Sequence, residues 1–193
     1  MNIGIDVDGT ITDLMPFILK YGKEFAQKHN LIFSETFPNK NPKEIFGWPP
    51  EFNEKFWEEG NWIYANNVII RENAKLIIDE LKNQGHNIFI ITSRKFACPE
   101  DYNPQMYNLL INTLKDNQIY YDKLLLTKNK IAEIKNHNID IMIEDFPNNI
   151  IEISKQIPVI YLDCPYNKNY STTNTICAKN WLQILDIINT LEN

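Results

Sequence analysis

The sequence has few cysteines, and their spacing excludes the sites that cysteines usually build. Three occur in the 193 residues, at Cys98, Cys164 and Cys177. No two of them form a Cys-x-x-Cys pair, so the spacing of a zinc site is missing and a disulfide framework is not expected. A chain of this length can bury a core large enough to fold without such staples. We therefore expect a globular protein with reduced thiols.

Long apolar runs and excess positive charge are missing as well. No stretch of about 18 apolar residues is present, as a membrane-spanning helix would require. Two aspartates interrupt the first ten residues, where a signal peptide would need an apolar core. Lysine and arginine total 19 against 25 acidic residues, a formal net charge of −6, which argues against a general nucleic-acid binder. We expect a soluble cytoplasmic protein whose partner is a small molecule, with a homodimer as one alternative for its oligomeric state.

Short apolar runs alternate with segments of helical periodicity along most of the chain. The runs are continuous, which is typical of parallel strands buried on both faces. The sequence therefore predicts an α/β fold, a Rossmann-like three-layer parallel sheet with its ligand site at the carboxyl ends of the strands. The predicted strands are residues 2–7, 87–92, 123–126, 139–143 and 157–161, and the predicted helices are residues 12–29, 73–84, 104–117, 129–136, 147–155 and 179–191.

Residues 30–66 break this alternation with four prolines and a high density of aromatic residues. We predict a small helical cap, inserted after the first strand, above a core formed by residues 1–29 and 67–193. Because a small cap must build its own core, we expect most of its aromatic side chains to pack internally. Substrate contact is assigned to Phe46 and Trp48. The nine aromatic residues are Phe33, Phe37, Phe46, Trp48, Phe52, Phe56, Trp57, Trp62 and Tyr64.

Four carboxylates follow two of the predicted strands. Asp6 and Asp8 come after the first strand, and Glu144 and Asp145 come after the fourth. Like charges so close raise one another's pKa unless a positive charge lies between them, and Mg²⁺ with its oxygen ligands would supply that charge. Hydroxyl, guanidinium and ammonium groups follow the second and third strands, at Thr92, Ser93, Arg94, Lys128 and Lys130. Carboxylates, a metal, hydroxyls and lysine at one sheet edge are what phosphoryl transfer requires.

The order of these residues resembles the four motifs of the haloacid dehalogenase-like phosphohydrolase superfamily. Asp6-Val7-Asp8-Gly9-Thr10 is similar to motif I, Thr92 to motif II, Lys130 to motif III, and Glu144-Asp145 to motif IV. The resemblance implies that Asp6 is the nucleophile that becomes an aspartyl-phosphate. It also implies that Asp8 protonates the leaving oxygen and then activates water.

The same resemblance implies roles for the remaining residues. Thr92 and the backbone N–H groups that follow Asp6 hold phosphate oxygens, and Lys130 neutralises charge on the nucleophile and the transferring group. Mg²⁺ is held by the carboxylate of Asp6, the backbone carbonyl of Asp8 and the carboxylate of Asp145, with Glu144 acting mostly through water. Substrate contacts are expected from Gly9, Ser93, Arg94 and Lys128, although a simple surface charge is the alternative for Arg94 and Lys128.

Within that superfamily the chain resembles the 5′(3′)-deoxyribonucleotidase family. The small cap, Thr92-Ser93, Cys98-Pro99, the Thr-Lys-Asn-Lys run at 127–130 and the Glu-Asp-x-Pro run at 144–147 carry the resemblance. It implies a Mg²⁺-dependent hydrolysis of nucleoside, or deoxynucleoside, 5′-monophosphates. The alternatives are a phosphatase for another small metabolite such as a sugar phosphate, and a non-catalytic binding module. The chain departs from the family pattern at Lys128 and Phe146, where the family has Arg, and at Asn129 and Glu144, where it has Asp.

Overall fold

A six-stranded parallel sheet forms the centre of the fold. The computed structural model describes residues 1–35, 45–168 and 172–192. The sheet order is β3-β2-β1-β4-β5-β6, and every neighbouring pair is parallel. The predicted Rossmann-like α/β architecture is therefore confirmed. The strands are β1 (Asn2–Ile5), β2 (Asn87–Thr92), β3 (Lys123–Leu126), β4 (Ile141–Glu144), β5 (Val159–Leu162) and β6 (Thr175–Ala178).

Seven α-helices lie within the described residues, and six of them match the predicted helices to within about three residues. Asparagine side chains cap several of them. Asn103 accepts a hydrogen bond from the backbone N–H of Gln105, and Asn180 accepts one from that of Gln183. No helix in this part of the chain is long and apolar enough to cross a membrane. The helices are α1 (Met15–His29), α2 (Pro50–Asn66), α3 (Ala74–Asn83), α4 (Pro104–Asp116), α5 (Lys130–Asn136), α6 (Pro147–Ser154) and α7 (Trp181–Leu191).

The helices cover both faces of the sheet and complete three layers. On one face Ile3 and Ile5 of β1 pack in a cluster that includes Leu110 of α4 and Ile184 of α7. On the other face a second cluster joins side chains of the sheet to α5 and α6. Because β1 and β4 are central and covered on both sides, the residues that follow them are held on a rigid support.

The sequence analysis did not predict the sixth strand. Residues 175–178 read Thr-Ile-Cys-Ala, a run too short and too polar to stand out, and only Ala178 of the four is buried. The strand exists because it pairs with β5 as the edge of the sheet. The first strand is also shorter than predicted, since it ends at Ile5 and leaves Asp6 and Val7 in the loop.

The inserted segment contributes α2, which packs on α1 through aromatic rings. We call this group the aromatic cluster, and it consists of Phe17, Tyr21, Phe25, Phe46, Trp48, Phe56 and Trp57. The rings of Phe46 and Trp48 stack with centroids 4.3 Å apart, and Trp48 also stacks on Phe25 of α1. Gly22 of α1 makes room for this arrangement, because a Cβ there would clash with the Phe46 ring. Phe37 and the rest of 36–44 lie outside the described residues, and the division into a 30–66 cap and a core stays a prediction.

Phe56 lies at the centre of the aromatic cluster and is almost completely buried. Replacing it in Phe56→Ala should lower the free energy of unfolding by about 3 to 5 kcal/mol, because it removes a ring that several others contact and leaves a cavity. Urea unfolding measures the change. Tyr120→Ala, an exposed aromatic on the core, is the matched control and should change it by less than about 0.5 kcal/mol. Equal effects of the two changes would contradict the packing described here.

Candidate active site

The end of β1 and the start of α5 place a carboxylate against an ammonium group. Asp6 follows β1 directly, and its backbone N–H donates to the carbonyl of Ile143 in β4 at 3.0 Å. Lys130, the first residue of α5, donates from Nζ to Asp6 Oδ1 at 2.5 Å and to Glu144 Oε1 at 2.6 Å. Burial raises the pKa of Asp6 well above its usual value, and Lys130 offsets this only in part. Burial alone would lower the pKa of Lys130, but Asp6 and Glu144 outweigh it and keep the group charged.

Both side-chain oxygens of Glu144 accept hydrogen bonds. It is fully buried at the end of β4. Its Oε1 accepts from Lys130 and, at 2.5 Å, from Asn149, while its Oε2 accepts from the backbone N–H groups of Asp145 and Phe146 at 2.8 and 2.9 Å. The role that this geometry supports is to hold Lys130 in place next to Asp6.

Asp145 is buried and is oriented by residues from two other loops. Thr10 Oγ1 donates to Asp145 Oδ1 at 2.9 Å, and the Tyr166 hydroxyl donates to Oδ2 at 2.5 Å. Asn167 Nδ2 donates to the backbone carbonyl of Asp145 at 2.8 Å. The sequence analysis missed Tyr166 and Asn167. The available signal was their position, because they follow β5 and so lie at the same sheet edge as the motifs.

Three of these carboxylates could hold a metal ion. Oxygens of Asp6, Glu144 and Asp145 lie within 4.8 Å of one another. Among the described residues, Lys130 is the one cation bonded to this group, so three buried acids share one positive charge when ionised. Burial, followed by the charge of Glu144, raises the pKa of Asp145 to about 7. A divalent cation would relieve this excess negative charge, so the residues present fit the predicted metal. The carboxylate of Asp8 is not in the group, and its predicted contact through the backbone carbonyl stays a prediction.

Asp8 pairs instead with Arg94. The guanidinium Nε lies 3.1 and 3.0 Å from the two carboxylate oxygens of Asp8, and Nη2 also donates to Oδ1. Arg94 follows β2 and is only 6% exposed, with its guanidinium 5.8 Å from the ring centroid of Tyr64 on α2. Its backbone N–H donates to the hydroxyl of the buried Thr92 at 3.3 Å.

A cleft of about 870 Å³ opens between this sheet edge and α2. Residues spaced three or four apart along α2 form one wall, which the sequence analysis did not single out. Helical spacing was the signal that could have found them. The opposite wall holds the predicted residues Asp6, Asp8, Thr92, Ser93, Arg94 and Lys128, together with Asp145. The side chains on the α2 wall come from Asn53, Glu54, Trp57, Glu58, Asn61 and Tyr64.

Some predicted substrate contacts are placed away from the cleft. Phe46 and Trp48 are not among the residues that line it, and their contact with substrate stays a prediction. Their rings point into the aromatic cluster because that is where they bury the most area. Gly9 lies beneath Asp145 with a φ of +90°, where a Cβ would clash with the carboxylate. Its carbonyl accepts from Arg71 Nε at 2.8 Å, so this structure gives it a positioning role. Lys128 lines the cleft and pairs with Asp101 at 2.8 Å.

The comparisons with known proteins agree with this geometry. The family model described as 5′ nucleotidase, deoxy (pyrimidine), cytosolic type C matches residues 1–192. A nucleotidase of Clostridium acetobutylicum is 28% identical over 199 residues, which cover 99% of this chain and 95% of that protein. A Bacillus subtilis protein provisionally named as a nucleotidase is 29% identical over 199 residues, covering 98% and 94%. Among solved structures, a haloacid dehalogenase-type hydrolase of family IA from Entamoeba histolytica superposes with a TM-score of 0.65 at 15% identity, covering 100% and 99%, which shows the fold.

The buried acids predict a pH-dependent stability. An acid whose pKa is raised in the folded state favours folding while it is protonated, so the free energy of unfolding should fall as the pH rises from about 4 to about 7. Mg²⁺ should raise the melting temperature, and more at pH 8 than at pH 5, because at pH 8 the acids are ionised. Thermal unfolding with Mg²⁺ and with EDTA at each pH measures both effects.

Asp145→Asn should remove most of the Mg²⁺-dependent gain and flatten the pH dependence between pH 4 and pH 7. Asp186→Asn, at an exposed acid on α7, is the control and should keep both the rise in melting temperature with Mg²⁺ and the pH dependence of stability. A wild-type protein whose melting temperature is the same with Mg²⁺ and with EDTA would contradict the metal site.

Proposed function

Because the chain belongs to the cytosolic type C family of 5′(deoxy)nucleotidases and has the fold of haloacid dehalogenase-like hydrolases, we propose that it hydrolyses nucleoside 5′-monophosphates, including deoxynucleotides, with Mg²⁺. The observation that carries this proposal is the placement of Asp6. Its carboxylate lies at the base of an 870 Å³ cleft, with Lys130 against it and Asp145 beside it. A rigidly held carboxylate next to a permanent cation and a metal-binding acid is suited to attack on phosphorus.

In the first step Asp6 attacks the phosphorus of the substrate and forms the aspartyl-phosphate while the nucleoside leaves. Lys130 stabilises the negative charge that builds up between the nucleophile and the phosphoryl oxygens. The hydroxyls of Thr92 and Ser93 lie on the same wall of the cleft as Asp6 and are assigned as donors to the phosphoryl oxygens. Glu144 keeps the Lys130 ammonium in position through the 2.6 Å contact.

Asp8 is assigned the proton transfers. It donates a proton to the leaving oxygen of the nucleoside and then takes one from the water that attacks the aspartyl-phosphate. When Mg²⁺ is bound by Asp6, Asp145 and the Asp8 carbonyl, it supplies positive charge to the phosphoryl oxygens. Tyr166 and Thr10 hold Asp145 in the orientation that such binding needs.

The α2 wall supports a nucleoside as the leaving group. Trp57 is half-buried and lines the cleft, and Asn53 and Asn61 line it four residues before and four residues after Trp57. Their Nδ2 groups donate to the carbonyls of Trp48 and Trp57, so their Oδ1 atoms are the groups assigned to a base edge. Aromatic rings stack on nucleobases, and amides hydrogen-bond to their edges. Sugar phosphates offer no base to this wall, so they remain the alternative that the substrate panel tests.

Phosphate release from a panel of nucleoside monophosphates and sugar phosphates tests the function. We expect release from several nucleotides with Mg²⁺, loss of release with EDTA, and a fall in kcat of about a thousandfold or more for Asp6→Asn, which lacks the nucleophile. Asp116→Asn, an exposed acid at the end of α4, is the matched control and should keep full activity. Release from sugar phosphates alone would instead support the alternative function, a sugar phosphatase. Ligand binding without any release would identify a binding module.

The α2 wall can be tested separately. Trp57→Ala should lower kcat/KM for nucleotides about tenfold or more, because stacking on a base contributes about 1 to 3 kcal/mol. Hydrolysis of glycerol phosphate, which has no base, should change little. Trp62→Ala is the control, since Trp62 lies on the same helix but stacks on Phe96 and does not line the cleft. An equal loss for both substrates would show that Trp57 acts through the fold.

A further inference from the structure

The pair formed by Asp8 and Arg94 leaves Asp8 unable to do its proposed work. Both carboxylate oxygens of Asp8 accept hydrogen bonds from the guanidinium, through Nε and Nη2. The position of Arg94 is restricted, because its side chain is buried and its guanidinium lies against the Tyr64 ring. Asp8 must instead face the leaving oxygen of a substrate. Something must therefore draw Arg94 away from Asp8 when substrate binds.

Arg94 has the unused capacity to bind that substrate. Its Nη1 is buried and has no hydrogen-bond partner among the described residues. The side chain lines the cleft together with Asp6 and Thr92, where the proposed reaction places the phosphoryl group. A guanidinium offers five N–H donors in a planar fork that fits two oxygens of a phosphate. A phosphate dianion also carries more charge than the single carboxylate of Asp8, so it can compete for the same cation.

The other cations near the cleft contact groups other than Asp8. Arg71, the second of the two arginines in the chain, donates to Gly9 and Cys164. Lys128 pairs with Asp101. Lys95 also lines the cleft, but it is exposed and its ammonium lies 4.9 Å from the centroid of the Phe96 ring. Within the described part of the chain, Arg94 is thus the cation that has both a buried N–H group without a partner and a direct contact with Asp8.

We propose that Arg94 binds the phosphoryl group and thereby couples phosphate binding to the release of Asp8. In the free protein Arg94 holds the Asp8 carboxylate. When the phosphoryl group enters, its oxygens take over the guanidinium donors, and Asp8 becomes free to turn toward the leaving oxygen. The exchange makes and breaks hydrogen bonds only, and Arg94 keeps its protons throughout. This inference rests on the proposed function, because it assigns a purpose to Asp8 in that reaction.

Binding of inorganic phosphate in the presence of Mg²⁺, measured by calorimetry, tests the exchange without turnover. Arg94→Gln should weaken phosphate binding about 10- to 100-fold, the value of one or two charge-assisted hydrogen bonds. Arg94→Lys should recover part of this, since an ammonium keeps the charge but not the fork. Lys115→Gln, at an exposed cation in the last turn of α4 that does not line the cleft, is the matched control and should change the affinity less than about twofold.

The Asp8→Asn variant tests the competition between Asp8 and phosphate for Arg94 more directly. Removing the competing carboxylate should tighten phosphate binding severalfold, because the guanidinium no longer has to leave an ion pair. The double variant Asp8→Asn with Arg94→Gln should lose that gain. A purely structural role for Arg94 predicts the opposite pattern, in which kcat falls while phosphate affinity stays as in the wild type. That pattern would overturn the proposal, as would an Asp8→Asn variant that binds phosphate no more tightly than the wild type.

The two proposals fail in different ways. A protein that hydrolyses nucleotides but binds phosphate equally well with and without Arg94 retains the function and loses the coupling. A protein that shows the Arg94 and Asp8 effects on phosphate but releases none from any nucleotide loses the proposed substrate only. Thermal unfolding of each variant checks folding, and if Arg94→Gln does not fold, the Asp8→Asn and Arg94→Lys results decide.

Discussion

An excess of buried negative charge at one sheet edge is the constraint on which the surrounding loops and side chains depend. Asp6, Glu144 and Asp145 meet there because β1 and β4 are neighbours, with Ile5 in register with Ile143. Desolvation makes such a group costly unless each oxygen has a partner. Thr10, Asn149 and Tyr166 supply such partners from three separate segments, and Lys130 supplies one positive charge. The remaining charge imbalance is what makes the group suited to a divalent cation.

The same edge contains a second, independent charge pair, and α2 closes over it. Asp8 and Arg94 come from the loops after β1 and β2, and Tyr64 of α2 covers them while its hydroxyl bonds with that of Thr12. Asp6 and Asp8, the proposed nucleophile and proton-transfer group, are two residues apart in sequence and are held by different cations. In the proposed mechanism this separation lets Asp6 stay fixed while Asp8 moves.

How far the sequence predicts the site depends on how the residues are linked to the strands. Asp6, Asp8, Thr92 and Asp145 lie within three residues of a strand end, so strand pairing alone brings them together. Tyr166 was missed because no pattern says how a loop after β5 turns back toward Asp145. The strands and helices of the core were predictable from continuous apolar runs and helical periodicity, whereas β6 exists through pairing with β5 rather than through its own sequence.

The inward placement of Phe46 and Trp48 follows from the energetics of a small insert. Helices α1 and α2 have to bury area against each other, and aromatic rings meet that need, so rings from both helices and from the stretch before α2 point inward. One face of α2 is used in this way, through Phe56 and Gly60. The opposite face is left for the cleft and carries Glu54, Glu58 and Asn61, with Trp57 at the border of both. Substrate preference should therefore be set by the polar face of α2, and the aromatic cluster serves to hold that face at a fixed distance from Asp6.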